Sequence, residues 1–582
     1  MRDGVAVLNI IKKTKFEYLI LFILSIVILF YQIQLPLWMS DEGIVAYGAE
    51  RVLAGDLPYR DFWTMYSPMQ FYFVAFLYTI FGTSVLTIRL YTLAVEVISA
   101  MLIYHFCLKT SASRILAFTV WFSSLLWLNY GNVPGYNAGI AVLLQLLAIF
   151  VLFRFADYFH QNNTRSARKW IITAGILQGI TALFRHDFGL YIVTSSVIAL
   201  SVTIGFNLLG RPNPAYRLHA LFKYLSYLLL GFCVVVFPVI IWLFLKIPVQ
   251  DLKECFYEFP LKIHPSVRGI PYPLMIPGGV RSLLSLDLSV LVGIIRNLPY
   301  YLPLFAAAFG ICATIFIRIT SRTKLLGKNL FLVLLTSLVT LFLFIQAYFR
   351  ADPIHLFPMI IISFILIPLL YKLFSFENTL KKGVLPISIS IFIIVLLSVA
   401  PAAKYMAIMR IISHRSINYS SASRIDRARY QMIDEQTVEM IQTVIREVPE
   451  NEHIYVGNIN HDRVFTSDVI IYFLTERHSC TKYSTLMPGV ITTLDVQKQV
   501  VEDLHEDSVN CIILSLEEQF FESNMSSVSS GVTYLDSVIF EEYEECYRFG
   551  DRYILLESRF PRAVFLKQTT GLKSSDFPTY QR

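Results

Sequence analysis

The chain has 582 residues, of which 55% are apolar and only 16% are charged, and its formal net charge is +7. A soluble domain usually carries about 25% charged residues, and one core cannot bury this much apolar surface. The composition therefore excludes an ordinary water-soluble protein and predicts a polytopic α-helical membrane protein. The sequence carries no nucleotide-binding fingerprint, and we expect no nucleic-acid partner.

The amino terminus predicts a retained membrane helix. Lys12, Lys13 and Lys15 precede an apolar run from about Leu19 to Ile33. No small-residue cleavage site follows this run, so the pattern disfavours a cleaved signal peptide. The three lysines place this end of the chain in the cytoplasm.

Apolar segments long enough to cross about 30 Å of hydrocarbon recur along the chain. The stretch from Ser67 to Phe81 is shorter and opens with Ser67-Pro68, so we predict that it lies in the membrane interface. Eleven spans are predicted, at residues 17–35, 87–108, 115–131, 138–156, 170–184, 188–207, 224–246, 298–317, 329–347, 353–371 and 384–401.

The distribution of charge supports this division. With a cytoplasmic amino terminus, the predicted inner segments hold 20 Lys or Arg and three Asp or Glu, whereas the outer segments hold nine basic and eleven acidic residues. Basic residues concentrate in cytoplasmic loops. The sequence therefore predicts a multi-pass protein of the plasma (inner) membrane whose carboxyl-terminal part is extracytoplasmic.

From about Lys404 the long apolar runs end and charged residues become frequent. We predict a membrane domain over residues 1–403 and an extracytoplasmic α/β domain over residues 404–582, which serves acceptor docking or structural support. Short alternating or apolar segments flanked by turn residues predict the strands, and amphipathic segments predict the helices. Strands are expected at His453–Gly457 and Cys511–Ser515, helices at Asp468–Glu476 and Val496–His505, and a hairpin at Tyr547–Glu557.

Ionisable residues collect at the predicted outer ends of the spans. A charged side chain at membrane depth costs about 2.5–3.5 kcal/mol, so such residues usually face a cavity and carry function. We therefore expect a cavity that opens to the outer face. The polar residues at this level are Asp41, Glu42, Arg60, Asp61, Asn132, Asn137, Arg185, His186, Asp187, His264, Arg350, Asp352 and His355.

The first outer loop is the richest in such residues. Ser40 or Asp41 is placed to cap a helix that runs to about Ala54, with Gly55 as its stop. Asp41 and Glu42 in its first turn fit two interpretations, since acidic residues there also complement the helix dipole.

The combined motifs resemble the GT-C superfamily of membrane glycosyltransferases, close to the family 39-like branch of protein O-mannosyltransferases and the lipid A aminoarabinose transferase. The resemblance covers residues 15 to about 400. It rests on the Asp41-Glu42 pair, Pro58-Tyr59-Arg60-Asp61-Phe62, Tyr66-Ser67-Pro68, Arg89 at the opening of the second span, Phe184-Arg185-His186-Asp187-Phe188-Gly189 and Arg350-Ala351-Asp352-Pro353-Ile354-His355.

The resemblance implies transfer of a hexosyl or pentosyl group from a polyprenyl-phosphate donor to an extracytoplasmic acceptor, with inversion. The acceptor is a glycan, a lipid or a protein. The family pattern gives the general base to the first acid, Asp41, while Glu42 is a second catalytic candidate or orients the acceptor or an arginine. Such a base contributes about 10²–10⁴ in rate.

The leaving phosphate needs positive charge beside it. Arg185 and Arg350 are the best candidates because guanidinium binds phosphate bidentately. The second choices are Arg60, Arg89, His186 and His355. Asp187 is either a second carboxylate of the site or an orienter of Arg185, and Arg350, Asp352 and His355 also fit a network that pins a helix end. Residues expected to meet the acceptor or support the site are Asp61, Tyr66, His186, Asp187, His264, Asp352 and His355.

No cofactor is expected. Asp41, Glu42, Asp187 and His264 offer ligands for a hard cation, but the arginines already supply positive charge, so we predict no metal site. The seven cysteines show no metal-binding spacing, and the three in the carboxyl-terminal part permit at most one disulfide.

Two other classes remain as alternatives. A lipid-linked-sugar flippase or secondary transporter explains many spans, but the sequence shows no duplicated halves with paired broken helices. A scaffold that displays the outer domain leaves the polar residues unexplained.

Overall fold

The computed structural model describes residues 2–111, 113–205, 214–279, 287–320, 327–377, 384–414, 424–465, 467–516 and 522–560. Part of the predicted outer loop and the end of the predicted α/β domain lie outside these ranges. Two compact units are present: Met1–Gln32, Leu90–Leu243 and Pro271–Ile417 form the first, and Ile33–Arg89, Phe244–Ile270 and Asn418–Arg582 form the second.

The described helices and strands follow one another along the chain. They are α1 (Arg2–Leu29), α2 (Asp41–Ala54), α3 (Met69–Phe81), α4 (Val85–Ser111), α5 (Arg114–Gly131), α6 (Asn137–His160), α7 (Thr164–Phe184), α8 (His186–Gly205), α9 (Pro214–Lys246), α10 (Val249–Lys253), a π-helix (Glu254–Ile263), α11 (His264–Arg268), α12 (Leu288–Thr320), α13 (Gly327–Phe349), α14 (Pro353–Glu377), α15 (Val384–His414), α16 (Glu435–Glu447), β1 (Ile454–Asn458), α17 (Ile470–Thr475), α18 (Leu494–Glu506), β2 (Cys511–Ser515), α19 (Tyr534–Glu542), β3 (Tyr543–Phe549) and β4 (Tyr553–Ser558).

The first unit is helical, and each of the eleven predicted spans coincides with a helix. Within the described ranges, nine helices are long and apolar enough to cross a membrane. Helices α5 and α7 fall short of that standard, because Ser123, Ser124 and Asn129 interrupt α5 while α7 opens with a basic turn. The prediction of a polytopic membrane protein is confirmed, with nine spans supported by length and composition in place of eleven.

Helix α3 has 13 residues, which at 1.5 Å per residue is about 20 Å. It is too short to cross the hydrocarbon core, as predicted for the stretch that begins at Ser67.

The second unit contains the predicted α/β fold. Its sheet has the order β1-β2-β4-β3, in which β1 and β2 are parallel and β4 is antiparallel to both neighbours. Every residue of β1 and β2 is buried, as their continuous apolar sequences predict. The predicted strands, helices and hairpin are therefore confirmed. The predicted chain boundary at residue 404 stays a prediction.

Helix α2, which opens the first outer loop, packs on the α/β fold within the second unit. The backbone N–H of Ile470 donates to the carbonyl oxygen of Met39 at 3.1 Å. The rings of Tyr47 and Tyr472 stack with centroids 5.0 Å apart. Helix α2 ends at Gly55 with φ +102°, as predicted, whereas Ser40 occupies the N-cap without a side-chain hydrogen bond.

All seven cysteines are free thiols. The disulfide that the carboxyl-terminal part permits is therefore absent from the described structure.

The close approach of α2 to α17 generates a prediction. A Cβ atom on Gly43 would lie 2.4 Å from the backbone nitrogen of Ile470, and backbone cannot yield as a flexible side chain does. We expect Gly43→Ala to destabilise the protein by about 1–3 kcal/mol through overpacking, measured as a lower melting temperature in detergent.

Gly205→Ala is the matched control, because a Cβ atom there meets nothing within 4 Å. Equal melting temperatures for the two variants would contradict the close approach of α2 and α17.

Candidate active site

The predicted site residues fall into two groups, one within each compact unit. Asp41, Glu42, Arg60, Asp61, Tyr66, Arg89 and His264 belong to the second unit; Arg185, His186, Asp187, Arg350, Asp352 and His355 belong to the first.

In the second unit, Asp41 and Glu42 start α2 and point in different directions, since adjacent helical residues do not face each other. The Glu42 side chain is fully buried and forms a bidentate ion pair with Arg89, whose side chain is 1% exposed. Arg89 Nε donates to one carboxylate oxygen of Glu42 and Nη2 to the other, each at 2.8 Å. A bidentate pair is geometrically specific, so Glu42 has a fixed structural partner.

Arg89 also binds the chain that leads into α2. Nη1 donates to the carbonyl oxygens of Ile33 at 3.1 Å and Leu35 at 2.6 Å, and Nη2 donates to that of Pro36 at 3.0 Å. With the two bonds to Glu42, all five N–H groups of Arg89 have acceptors. To bind Arg89, a phosphate would have to displace one of these acceptors, which disfavours the predicted phosphate-binding role of Arg89.

Asp41 differs from its neighbour because it is partly exposed. Its Oδ1 accepts a hydrogen bond from the Tyr66 hydroxyl at 3.3 Å. Tyr66 is 7% exposed, and its carbonyl oxygen accepts from the Tyr59 hydroxyl at 2.8 Å. The structure therefore brings Asp41 and Tyr66 together and leaves the Asp41 side chain partly exposed.

Arg60 and Asp61 pair with each other in the loop after α2. Arg60 Nε and Nη2 each lie 2.8 Å from an Asp61 oxygen, and this hydrogen bonding lowers the pKa of Asp61. Asp61 also accepts from the backbone N–H of Leu57 at 2.7 Å. The Arg60 side chain is 44% exposed, so this pair closes a surface turn.

His264 begins α11, after the π-helix, and its ring lies edge-to-face with Phe259 at 5.8 Å. Trp63 Nε1 donates to Glu254 at 2.8 Å, which ties the π-helix to the first outer loop.

In the first unit, Arg185 follows α7 and is held from several sides. Nε donates to Asp187 Oδ1 at 3.1 Å, Nη1 to the Tyr136 hydroxyl at 3.4 Å and Nη2 to Gln346 Oε1 at 2.7 Å. The guanidinium lies 4.3 Å from the centroid of the Phe188 ring. Asp187 thus contacts Arg185, as an orienter of that arginine would, and the choice between its two predicted roles stays a prediction.

These bonds leave one N–H on each terminal nitrogen of Arg185 without an acceptor among the described residues. The Arg185 side chain is 13% exposed. Two N–H groups from the two arms of one guanidinium match the oxygens of a phosphate. These contacts favour Arg185 over Arg89 as the candidate phosphate ligand, which stays a prediction.

Gln346 joins Arg185 to the other polar residues of the first unit, because its Nε2 donates to the carbonyl oxygen of His355 at 3.0 Å. Asp352 precedes α14 and caps it: Asp352 Oδ1 accepts from the backbone N–H of His355 at 2.9 Å and lies 2.8 Å from its Nδ1. Arg350 Nε lies 2.7 Å from Asp352 Oδ2. Asp352 thus fits the predicted helix-end network.

The pKa of Asp352 reflects these contacts. Burial acts to raise it, but the charges of His355 and Arg350 and the hydrogen bonds from His355 outweigh burial and lower the pKa to about 2. Asp352 stays ionised at neutral pH and is a poor proton acceptor, since an effective general base has a pKa near the working pH. His186 begins α8 between Arg185 and Asp187 and is partly exposed.

Sequence reasoning missed three residues that support these groups. Tyr136 and Gln346 hold Arg185, and Glu96 in α4 is fully buried. Glu96 accepts hydrogen bonds from Gln32 Nε2 and Asn132 Nδ2, both at 2.9 Å. A polar side chain inside a predicted span was the available signal for Gln346 and Glu96.

Among the described residues, no group of three or more His, Cys, Asp and Glu side chains is arranged to hold a metal ion. Asp41, Glu42 and His264 of the predicted cation set have the hydrogen-bond, ion-pair and ring contacts given above.

The fold is that of a solved membrane protein. The structure of ArnT from Cupriavidus metallidurans in the apo state matches with a TM-score of 0.52 and 12% sequence identity, over 93% of this chain and 98% of that one. The chain has the fold of ArnT. A second ArnT structure from the same organism, bound to undecaprenyl phosphate, matches over the same shares with a TM-score of 0.47 and 13% identity.

ArnT is a GT-C glycosyltransferase that acts as a lipid A aminoarabinose transferase, so the resemblance predicted from the motifs is confirmed at the level of fold. No protein-family model matches the sequence, and no curated protein does.

The buried Glu42–Arg89 pair generates a stability prediction. Glu42→Gln leaves the Arg89 cation buried without a carboxylate, and breaking a buried pair in this way costs about 3–5 kcal/mol. We expect a large drop in melting temperature in detergent at neutral pH.

Asp61→Asn is the control. It makes the same chemical change in the exposed pair with Arg60, and an exposed pair contributes little to stability. A melting temperature for Glu42→Gln equal to that of Asp61→Asn would show that the buried pair does not hold α2.

Proposed function

We propose that this protein moves a sugar from a polyprenyl-phosphate donor to an acceptor on the extracytoplasmic face of the plasma membrane, inverting the anomeric centre. The fold shared with apo ArnT supports transfer from a lipid-linked donor. ArnT has also been described bound to undecaprenyl phosphate.

The observation that carries the proposal is the difference between the environments of Asp41 and Glu42. Glu42 is buried in a bidentate pair with Arg89, so its protonation would break that pair. Asp41 is partly exposed and touches the Tyr66 hydroxyl. The partial exposure of Asp41 supports the proposal that it, and not Glu42, is the general base.

The donor phosphate is assigned to Arg185. Its planar head is fixed by Asp187, Tyr136 and Gln346, while one N–H on each arm remains available for an anion among the described residues. A pre-positioned cation stabilises the charge that develops on the leaving phosphate without further reorganisation. Arg350, paired with Asp352, is proposed as a supporting positive charge.

The proposed reaction is a single displacement. The acceptor oxygen or nitrogen attacks the anomeric carbon, and the bond from that carbon to the phosphate oxygen breaks. The acceptor proton passes to the Asp41 carboxylate, and the electron pair of the broken bond remains on the released polyprenyl phosphate. Because phosphate is a weak base, this leaving group needs no general acid, unlike the departing group of a glycosidase.

The first prediction of the proposed function concerns the general base, Asp41. We expect Asp41→Asn to lower turnover by about 10²–10⁴ while the melting temperature and binding of the lipid carrier stay near wild type. Purified protein would be offered a panel of polyprenyl-phosphate hexoses and pentoses, with release of polyprenyl phosphate as the measurement.

Asp61→Asn serves as control, because Asp61 lies in the exposed pair with Arg60. Near-wild-type turnover in Asp41→Asn would remove Asp41 as the base. If the intact donor is transported across a vesicle membrane and no donor releases polyprenyl phosphate, the proposed transferase is wrong and the protein is a flippase.

The second prediction concerns the phosphate. We expect Arg185→Gln to lower turnover by about 10²–10³, the usual cost of losing one donor to a developing negative charge. Arg185→Lys keeps the charge but loses the planar guanidinium that binds phosphate with two N–H groups, so it should recover only part of the activity.

The control is Arg429→Gln, which removes a guanidinium that is 56% exposed and should leave turnover unchanged. If Arg429→Gln loses as much activity as Arg185→Gln, the phosphate assignment is wrong.

A further inference from the structure

A second charged cluster lies in the first unit, among the ends of α4, α6, α13 and α14. Lys109 is close to the end of α4 and Lys328 is the second residue of α13. Arg154 lies in the last two turns of α6 and Lys372 in the last two turns of α14. The charge asymmetry of the sequence predicts that these ends face the cytoplasm, so the cluster takes no part in the proposed transfer.

Three of these side chains contact two aromatic rings of α6. The Lys109 ammonium lies 5.4 Å from the centroid of Phe153, and that of Lys328 lies 3.5 Å from the same centroid. The Arg154 guanidinium lies 5.7 Å from the centroid of Phe150. All three distances are within the reach of a cation–π contact, about 6 Å.

The cluster has more positive than negative charge. Asp157 forms a salt bridge with Lys328. Among the described residues, Lys109, Arg154 and Lys372 form no salt bridge with a carboxylate. Arg154 lies within electrostatic range of Lys109, and Lys372 within range of Lys328. Four cations therefore share one carboxylate.

Ordinary basic residues at a membrane boundary extend separately toward water. Here like charges from the ends of four apolar helices come together, which is unfavourable unless an anion joins them. Basic pockets between transmembrane helices on the cytoplasmic side bind anionic headgroups.

We propose that Lys109, Arg154, Lys328 and Lys372 form a binding site for the phosphate of an acidic phospholipid in the inner leaflet. The two phenylalanine rings keep the cations at the membrane boundary, and the phosphate oxygens accept hydrogen bonds from the ammonium and guanidinium groups.

The test uses the full-length protein in nanodiscs of phosphatidylcholine alone or of equal parts phosphatidylcholine and phosphatidylglycerol. Native mass spectrometry measures the phosphatidylglycerol retained, and a thermal melt measures stabilisation. The variant Lys109→Gln/Arg154→Gln/Lys372→Gln removes three charges and leaves the Lys328–Asp157 salt bridge intact. We expect retention to weaken about a hundredfold, from about fivefold for each charge removed.

The matched control is Arg165→Gln/Arg168→Gln/Lys169→Gln, which removes three exposed basic residues from the start of α7. A charge-preserving variant, Lys109→Arg/Arg154→Lys/Lys372→Arg, should retain phosphatidylglycerol as wild type does.

Equal loss in the cluster and control variants would overturn the site and leave only general attraction to the membrane. Stabilisation of the wild type by inorganic phosphate in phosphatidylcholine nanodiscs, as large as that by phosphatidylglycerol, would show a small-anion site and overturn the phospholipid assignment.

Discussion

The buried ion pair between Glu42 and Arg89 is the interaction on which the first outer loop depends. Arg89 uses its five N–H groups to hold both oxygens of Glu42 and the carbonyl oxygens of Ile33, Leu35 and Pro36. One guanidinium thus joins the start of α4, the start of α2 and the chain that leads into α2. A charge in such surroundings is tolerable only while every partner is present, so the start of α2 is held in one position.

This fixed position gives adjacent carboxylates opposite properties. The Glu42 side chain is buried, and both of its carboxylate oxygens pair with Arg89. Asp41, one residue earlier, accepts a hydrogen bond from the Tyr66 hydroxyl and is partly exposed. The opposite side of α2 is limited by α17, where the backbone of Ile470 leaves no room for a Cβ atom on residue 43. The α/β fold thus acts as structural support for the loop that carries the proposed base.

Patterns of local origin could be predicted from the sequence. Continuous apolar runs indicated β1 and β2, a Gly-Asp turn indicated the hairpin of β3 and β4, and Gly55 indicated the end of α2. Long-range pairings could not be predicted, because nothing local distinguishes Arg89 as the partner of Glu42 from Arg89 as a phosphate ligand. The contact of the Gln346 amide with Arg185 could not be predicted for the same reason, since the two residues lie 161 positions apart in the chain.

The second unit draws residues 33–89 and residues from 418 onward into one body. Ribosomal synthesis delivers the first of these segments more than three hundred residues before the second. Helix α2 must therefore wait, exposed on its α17-facing side, while most of the membrane helices are made and inserted. Completion of the second unit is consequently a late event of biogenesis, and a chain interrupted before the α/β fold would carry the proposed base without the surface that holds it.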